Sequence, residues 1–216
     1  MNTFAPDSWP TALPLVAILR GIEAREAAAH AHALLDAGFD CIEVPTNSPN
    51  WADSVRTIVQ VAGQRAVVGA GTVLDAAHLA ALLQAGGRMA ISPHTDTALI
   101  ADAAARGLFV LPGAMTASEV FAARKAGAHA VKLFPAGNLG PAYVKALRAV
   151  LPPALPLLAV GGVTPANLGD FLAAGCAGAG LGSDLYRPGQ SAQDTGARAR
   201  DFVAAFRAAR PQRQTP

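Results

Sequence analysis

The chain contains three lysines, and only Lys132 stands in a strand-like run, His129-Ala130-Val131-Lys132-Leu133-Phe134-Pro135. Lys125 and Lys145 fall in Ala-rich stretches with helical spacing, where a solvated charge is role enough. Side chains alternate along a strand, so Lys132 shares a face with Ala130 and Phe134, opposite Val131 and Leu133. A lysine inside a core loses its hydration, which favours the neutral amine and makes it a nucleophile toward carbonyls. The alternative is a lysine paired with a buried carboxylate for structural reasons. Glu43 is the natural companion, the one charge in Cys41-Ile42-Glu43-Val44-Pro45. A carboxylate beside an amine can relay protons. As a stabilising pair alone the two would do no better than packed apolar residues, so function is the preferred reading for both.

Anion binding is the second theme. Ala159-Val160-Gly161-Gly162-Val163-Thr164-Pro165 and Gly178-Ala179-Gly180-Leu181-Gly182-Ser183-Asp184 are glycine-rich strand ends running into turns. Gly161, Gly162, Gly182 and Ser183 therefore offer backbone N–H groups suited to a phosphate. Arg20, closing the first apolar run, supplies a fixed cation for a carboxylate or phosphate. Thr72, after Gly69-Ala70-Gly71, presents a hydroxyl. Asn47 and His94 lie in loops just beyond strands, where either can touch a substrate; Asn47 is expected near a hydroxyl-bearing carbon. No metal site is expected. His30 and His32 are two apart on a helix and point to different sides. The two cysteines, Cys41 and Cys176, form no CxxC pair.

These residues must be positioned by something, and the hydrophobic pattern says what. Eight short apolar runs begin at Leu15, Cys41, Ala66, Met89, Leu108, Ala130, Leu157 and Ala177, each followed by an Ala-rich helical segment. Repeated βα units imply a parallel sheet. Dividing 216 residues by eight leaves 27 per unit, enough for a strand, a helix and two tight turns. Gly38, Gly86, Gly107, Gly127 and Gly175 follow helical segments closely, where a helix end favours positive φ. The expectation is an α/β chain with a single (β/α)8 TIM barrel over residues 1–216. Residues 1–12 read as an N-terminal extension and 211–216 as a disordered tail. An open doubly wound sheet would carry a Gly-rich fingerprint after its first strand. Arg20-Gly21-Ile22 stands there instead.

Composition narrows the partners. At 52% hydrophobic and 15% charged, the chain can build a large core and is not a disordered segment. Charged residues or histidine interrupt every apolar run before the ~18 residues of a membrane span. Met1 to Pro10 lacks a basic stretch leading into an apolar core, so the expected compartment is the cytoplasm. The net charge of +2 comes with no basic stripe, which argues against nucleic acid.

Six motifs in order carry a resemblance: Val16-Ala17-Ile18-Leu19-Arg20-Gly21, Gly38-Phe39-Asp40 with Glu43-Val44-Pro45, Gly69-Ala70-Gly71-Thr72-Val73-Leu74, Val131-Lys132-Leu133-Phe134-Pro135, Val160-Gly161-Gly162-Val163-Thr164-Pro165, and Gly180-Leu181-Gly182-Ser183-Asp184-Leu185-Tyr186. From about Leu13 to Gln190 the chain resembles the class I 2-keto-3-deoxy-6-phosphogluconate/galactonate aldolases. Glu43-Val44-Pro45-Thr46-Asn47-Ser48-Pro49 looks like the galactonate branch, since the gluconate branch typically carries arginine where Asn47 stands. The resemblance implies Lys132 as Schiff-base lysine, Glu43 as general acid/base, and Arg20, Thr72, Gly161, Gly182 and Ser183 as substrate contacts. It also implies a phosphorylated keto acid substrate, no cofactor, and a cytosolic homotrimer. The sister epimer is the first alternative. An isomerase or synthase using Glu43 without covalent chemistry, or a non-catalytic sugar-phosphate binder, are the others.

Overall fold

The computed structural model describes residues 4–209; the expected tail 211–216 lies outside them. Strands β1 (Leu15–Ile18), β2 (Cys41–Pro45), β3 (Val67–Gly71), β4 (Met89–Ile91) and β5 (Phe109–Leu111) alternate with helices α1 (Ala24–Asp36), α2 (Trp51–Ala62), α3 (Ala76–Gln84) and α4 (Thr97–Ala105). After β6 (Gly113–Ala114) come α5 (Ala117–Lys125), β7 (Val131–Leu133), α6 (Ala136–Arg148), β8 (Leu157–Val160), α7 (Leu168–Ala173), β9 (Gly178–Leu181) and α8 (Ala192–Ala209). All pairings are parallel, in the order β5-β4-β3-β2-β1-β9-β8-β7-β6.

The two ends of that order are halves of one run. β5 pairs with β4, β6 pairs with β7, and only Pro112 separates them. Proline has no N–H to give a ladder, so the fifth barrel strand is split where eight unbroken strands were expected. Closure survives the split, because the Pro112 carbonyl accepts from Lys132 N–H at 3.0 Å and the Val110 carbonyl from His129 N–H at 3.1 Å. The fold is a (β/α)8-type barrel.

Strand alternation sorts side chains into two layers. Outward residues such as Ala17, Val44, Val131 and Leu133 pack under the helices, while Val16, Ile18, Met89, Phe109, Ala130 and Leu158 fill the barrel. Lys132 and Glu43 belong to the inward set, as their strand positions require. The five glycines expected to close helices all take positive φ, from +78° at Gly107 to +111° at Gly175. His30 turns inward to meet Thr195 Oγ1 at 2.9 Å while His32 is exposed, so the two diverge. Among the described residues no three His, Cys, Asp or Glu side chains cluster as metal ligands.

Residues 4–12, expected as an extension, form the barrel's floor. Phe4 and Trp9 pack edge-on to Phe109 with ring centroids 5.4 Å away, and His129 stacks on the same ring at 5.2 Å. Asp40 holds the segment, accepting from Thr11 Oγ1 at 2.7 Å and from the Ala12 and Leu13 N–H groups at 3.0 Å. Charged acceptors make such bonds stronger than neutral ones. The floor packs against the inner apolar cluster at the N-terminal end of the barrel.

Phe109 joins floor to barrel and is fully buried. Phe109→Ala should destabilise the fold by about 3–5 kcal/mol, the usual cost of a large aromatic cavity. A fall in the urea midpoint at unchanged slope checks this.

Candidate active site

The C-terminal ends of the strands surround a cavity of about 450 Å³. Arg20, Glu43, Thr72, Lys132, Gly161, Gly162, Gly182 and Ser183, singled out from the sequence, all stand on its wall. They come from six different strands or strand ends and share no local sequence. Only barrel closure brings them together.

Glu43 points inward from β2 and lies over Gly71 of the neighbouring strand. A Cβ built on Gly71 would collide with the Glu43 carboxylate, so the glycine makes the space that the acid fills. The carboxylate is buried, and its Oε2 has no hydrogen-bond partner. Lys132 is 7% exposed, with Nζ 5.3 Å from the centre of the Phe134 ring. Burial pushes Glu43 up to about 7, against the pull of Lys132 and Arg20. Burial likewise holds the Lys132 ammonium below its ordinary value, opposed by Glu43 and assisted by the Arg20 charge. An amine and an acid both driven toward neutrality at the wall of one cavity can attack a carbonyl and exchange protons.

The flanking loops are fixed by their own bonds. Thr72 takes a positive φ of 55°, rare for a β-branched residue, and its carbonyl accepts from Thr46 Oγ1 at 2.6 Å. Gly161 and Gly162 have consecutive positive φ of 90° and 74°. Gly137 N–H donates to the Gly161 carbonyl at 2.8 Å, and Asn167 Nδ2 to the Gly162 carbonyl at 2.9 Å. A Cβ on Gly161 would stand 3.4 Å from the Phe134 ring, which screens one side of the cavity. At Gly182 an added Cβ meets no protein atom within 4 Å. No protein neighbour therefore requires a glycine at this position.

Two expected residues stand elsewhere. Asn47 is behind Arg20 and off the cavity wall; its Oδ1 accepts from Arg20 Nη1 at 2.7 Å. That bond ties Asn47 to the arginine on the cavity wall. His94 is exposed and gives its carbonyl to Ser92 Oγ at 2.6 Å, while its neighbour Pro93 touches the cavity. Ile18, Val160, Tyr186 and Arg187 also line the wall without having been singled out. Inward alternation signals the first two; Tyr186 and Arg187 follow a glycine-rich strand end, which is the only local clue to them.

Comparison with known proteins fits this geometry. The family model "KDPG and KHG aldolase" matches residues 7–197. A 2-dehydro-3-deoxy-6-phosphogalactonate aldolase of Escherichia coli (strain K12) is 51% identical over 93% of this chain and 98% of its own. A probable 2-dehydro-3-deoxy-6-phosphogalactonate aldolase of Rhizobium meliloti (strain 1021) is 45% identical over 91% and 93%. The solved native KDPGal structure superposes with a TM-score of 0.91 at 51% identity, covering 93% of this chain and 98% of that one. With both sequence and barrel matched along nearly their whole length, the chain belongs to the KDPG and KHG aldolase family.

Proposed function

We propose that this chain is a class I aldolase cleaving 2-dehydro-3-deoxy-6-phosphogalactonate to pyruvate and glyceraldehyde 3-phosphate. The observation that carries the reading is Lys132, a buried amine sharing its cavity with Glu43, whose Oε2 has no hydrogen-bond partner. The neutral amine attacks the C2 ketone, and loss of water gives an iminium. Glu43 takes the C4 hydroxyl proton, directly or through water. The C3–C4 bond then breaks, its electrons flow into the iminium to give an enamine, and the aldehyde leaves. Glu43 returns its proton to C3, and hydrolysis of the imine releases pyruvate. The iminium does the electron-withdrawing work that a metal ion does in other aldol chemistry.

The remaining residues divide the substrate's two anions. Arg20 and Thr72 receive the carboxylate end, and Gly161, Gly162, Gly182 and Ser183 the phosphate. The galactonate epimer is favoured over the gluconate one by the neutral Asn47 on Arg20 and by the names of the 51% and 45% identical relatives. The same membership supports a cytoplasmic homotrimer.

Trapping tests the covalent step. Borohydride added with pyruvate should leave a pyruvate-sized adduct on the peptide containing Lys132. Lys132→Ala and Lys132→Arg should show neither adduct nor aldol cleavage, since a guanidinium stays protonated. An adduct on Lys125 or Lys145, or none at all, removes the reading.

Glu43 gives a pH signature. Its native value of about 7 lies above the ~4.3 of an unfolded glutamate, so the native state binds this proton more tightly. The stability it contributes is full below the unfolded value and is lost as pH rises to about 7. Glu43→Gln does not titrate, so its stability advantage over wild type should grow from pH 4 to 7 and then level off. Urea midpoints across that range read the difference, and parallel curves would place the titration elsewhere.

Asn47→Arg would set a second guanidinium against Arg20 and displace it. The ratio of kcat/KM for the galactonate over the gluconate epimer should fall about 10-fold or more, the scale of one lost charge-assisted bond. An unchanged ratio means that Arg20 keeps its place without Asn47.

A further inference from the structure

Arg187 stands on the wall of the reaction cavity, and none of the chemistry above uses it. It closes a turn that begins where β9 ends. The Gly182 carbonyl accepts from the Leu185 and Tyr186 N–H groups, both at 2.9 Å, so residues 182–186 wind one helical turn. Arg187 Nε donates to the Ser183 carbonyl at 2.8 Å, which fixes the guanidinium against that turn. Its two Nη groups remain, and among the described residues no carboxylate forms an ion pair with them.

Although the side chain is exposed, its base is anchored on every side. Arg198 Nη1 donates to the Asp184 carbonyl at 3.1 Å, and Gln190 Nε2 to the Leu185 carbonyl at 2.9 Å. The Tyr186 ring is buried edge-on to His30 at 5.0 Å. Pro188 covers Gly21, where an added Cβ would come within 2.8 Å of its Cγ. A rigid base spares a flexible arginine part of the ordering cost of binding.

We propose that Arg187 grips the phosphate of the substrate and thereby sets the preference for phosphorylated over unphosphorylated keto acids. This rests on the reading that the substrate carries a phosphate remote from its ketone. The backbone N–H groups after β8 and β9 offer only partial charges to a group bearing close to two negative charges. Glu43 and Asp184 place acidic side chains around the same cavity. Arg20 lies at the other end of the electrostatic problem, coupled to Lys132 and Glu43. Arg187 supplies the full positive charge that the phosphate end otherwise lacks. With Nε already committed, the free edge of the guanidinium presents two parallel donors, the arrangement that matches two phosphate oxygens.

The experiment uses glycerol 3-phosphate, which has a phosphate but no keto group, so it reads this end of the cavity whatever the keto acid. Calorimetry should show Arg187→Gln binding it about 10- to 30-fold more weakly than wild type, the low end for a charge-assisted pair at an exposed site. Arg187→Lys should fall between, keeping charge but losing the Ser183 bond and the fork. In turnover, Arg187→Gln should lower kcat/KM for the phosphorylated keto acid at least about 10-fold relative to its unphosphorylated counterpart, mainly through KM. Equal glycerol 3-phosphate affinity in wild type and variant, no binding by wild type, or an equal loss for both keto acids would overturn the assignment. The borohydride test fails or succeeds independently of this binding, so the aldolase reading and the phosphate assignment are judged separately.

Discussion

Burial of two ionisable side chains in one apolar barrel is the constraint around which the molecule is arranged. For both Lys132 and Glu43 the loss of hydration outweighs the attraction between them, and each is driven toward its neutral form. Such a pair stabilises a fold poorly, because packed apolar side chains of similar size do as well or better. It is useful only where an unprotonated amine and a mobile proton are needed together. The condition depends on continued burial, since hydration would restore both charges. The aromatic floor of Phe4, Trp9 and Phe109 and the Asp40 bonds that hold its segment are therefore part of the site's electrostatics, although they lie at the opposite end of the barrel.

Space for the pair is made by weak strand formers. β3 reads Val67-Val68-Gly69-Ala70-Gly71 and β9 reads Gly178-Ala179-Gly180-Leu181. Glycine costs conformational entropy in a strand and usually marks a close approach. Here the approaches are identifiable. A Cβ on Gly69 would strike the Met89 backbone, one on Gly178 the Pro14 carbonyl, and one on Gly180 would stand 2.9 Å from Val160. Met89 of β4, Val160 of β8 and the chain entering β1 are thus accommodated by near-absent side chains on β3 and β9. The site cavity opens at the C-terminal strand ends, where Gly71 makes room for Glu43.

Much of this was legible because period-2 alternation is a local property. It placed Lys132 and Glu43 inside before any tertiary contact was known, and the eight-fold repeat of run and helix implied the barrel. What escaped depended on contacts distant in sequence. The break at Pro112 was unmarked because a single proline between apolar residues also reads as the end of a strand; that the chain resumes pairing with β7 at Gly113 is decided across the barrel. Residues 4–12 looked like an extension because Phe4 and Trp9 have no periodic partners nearby, their partner being Phe109. The partnership of Asn47 with Arg20 escaped too. Its bond to Arg20 spans 27 residues and has no local signature.

That bond explains why an amide serves where a carboxylate would seem the obvious partner for an arginine. Arg20 lowers the proton affinity of both Lys132 and Glu43, favouring the free amine on one and the ionised carboxylate on the other. An aspartate at position 47 would hold Arg20 more tightly, but its charge would cancel much of that field. Asn47 accepts one hydrogen bond from Nη1 and adds no charge, so it orients the guanidinium while leaving its field in the cavity. The neutral partner belongs to the same design as the apolar barrel: each preserves an electrostatic imbalance that a more stabilising choice would remove.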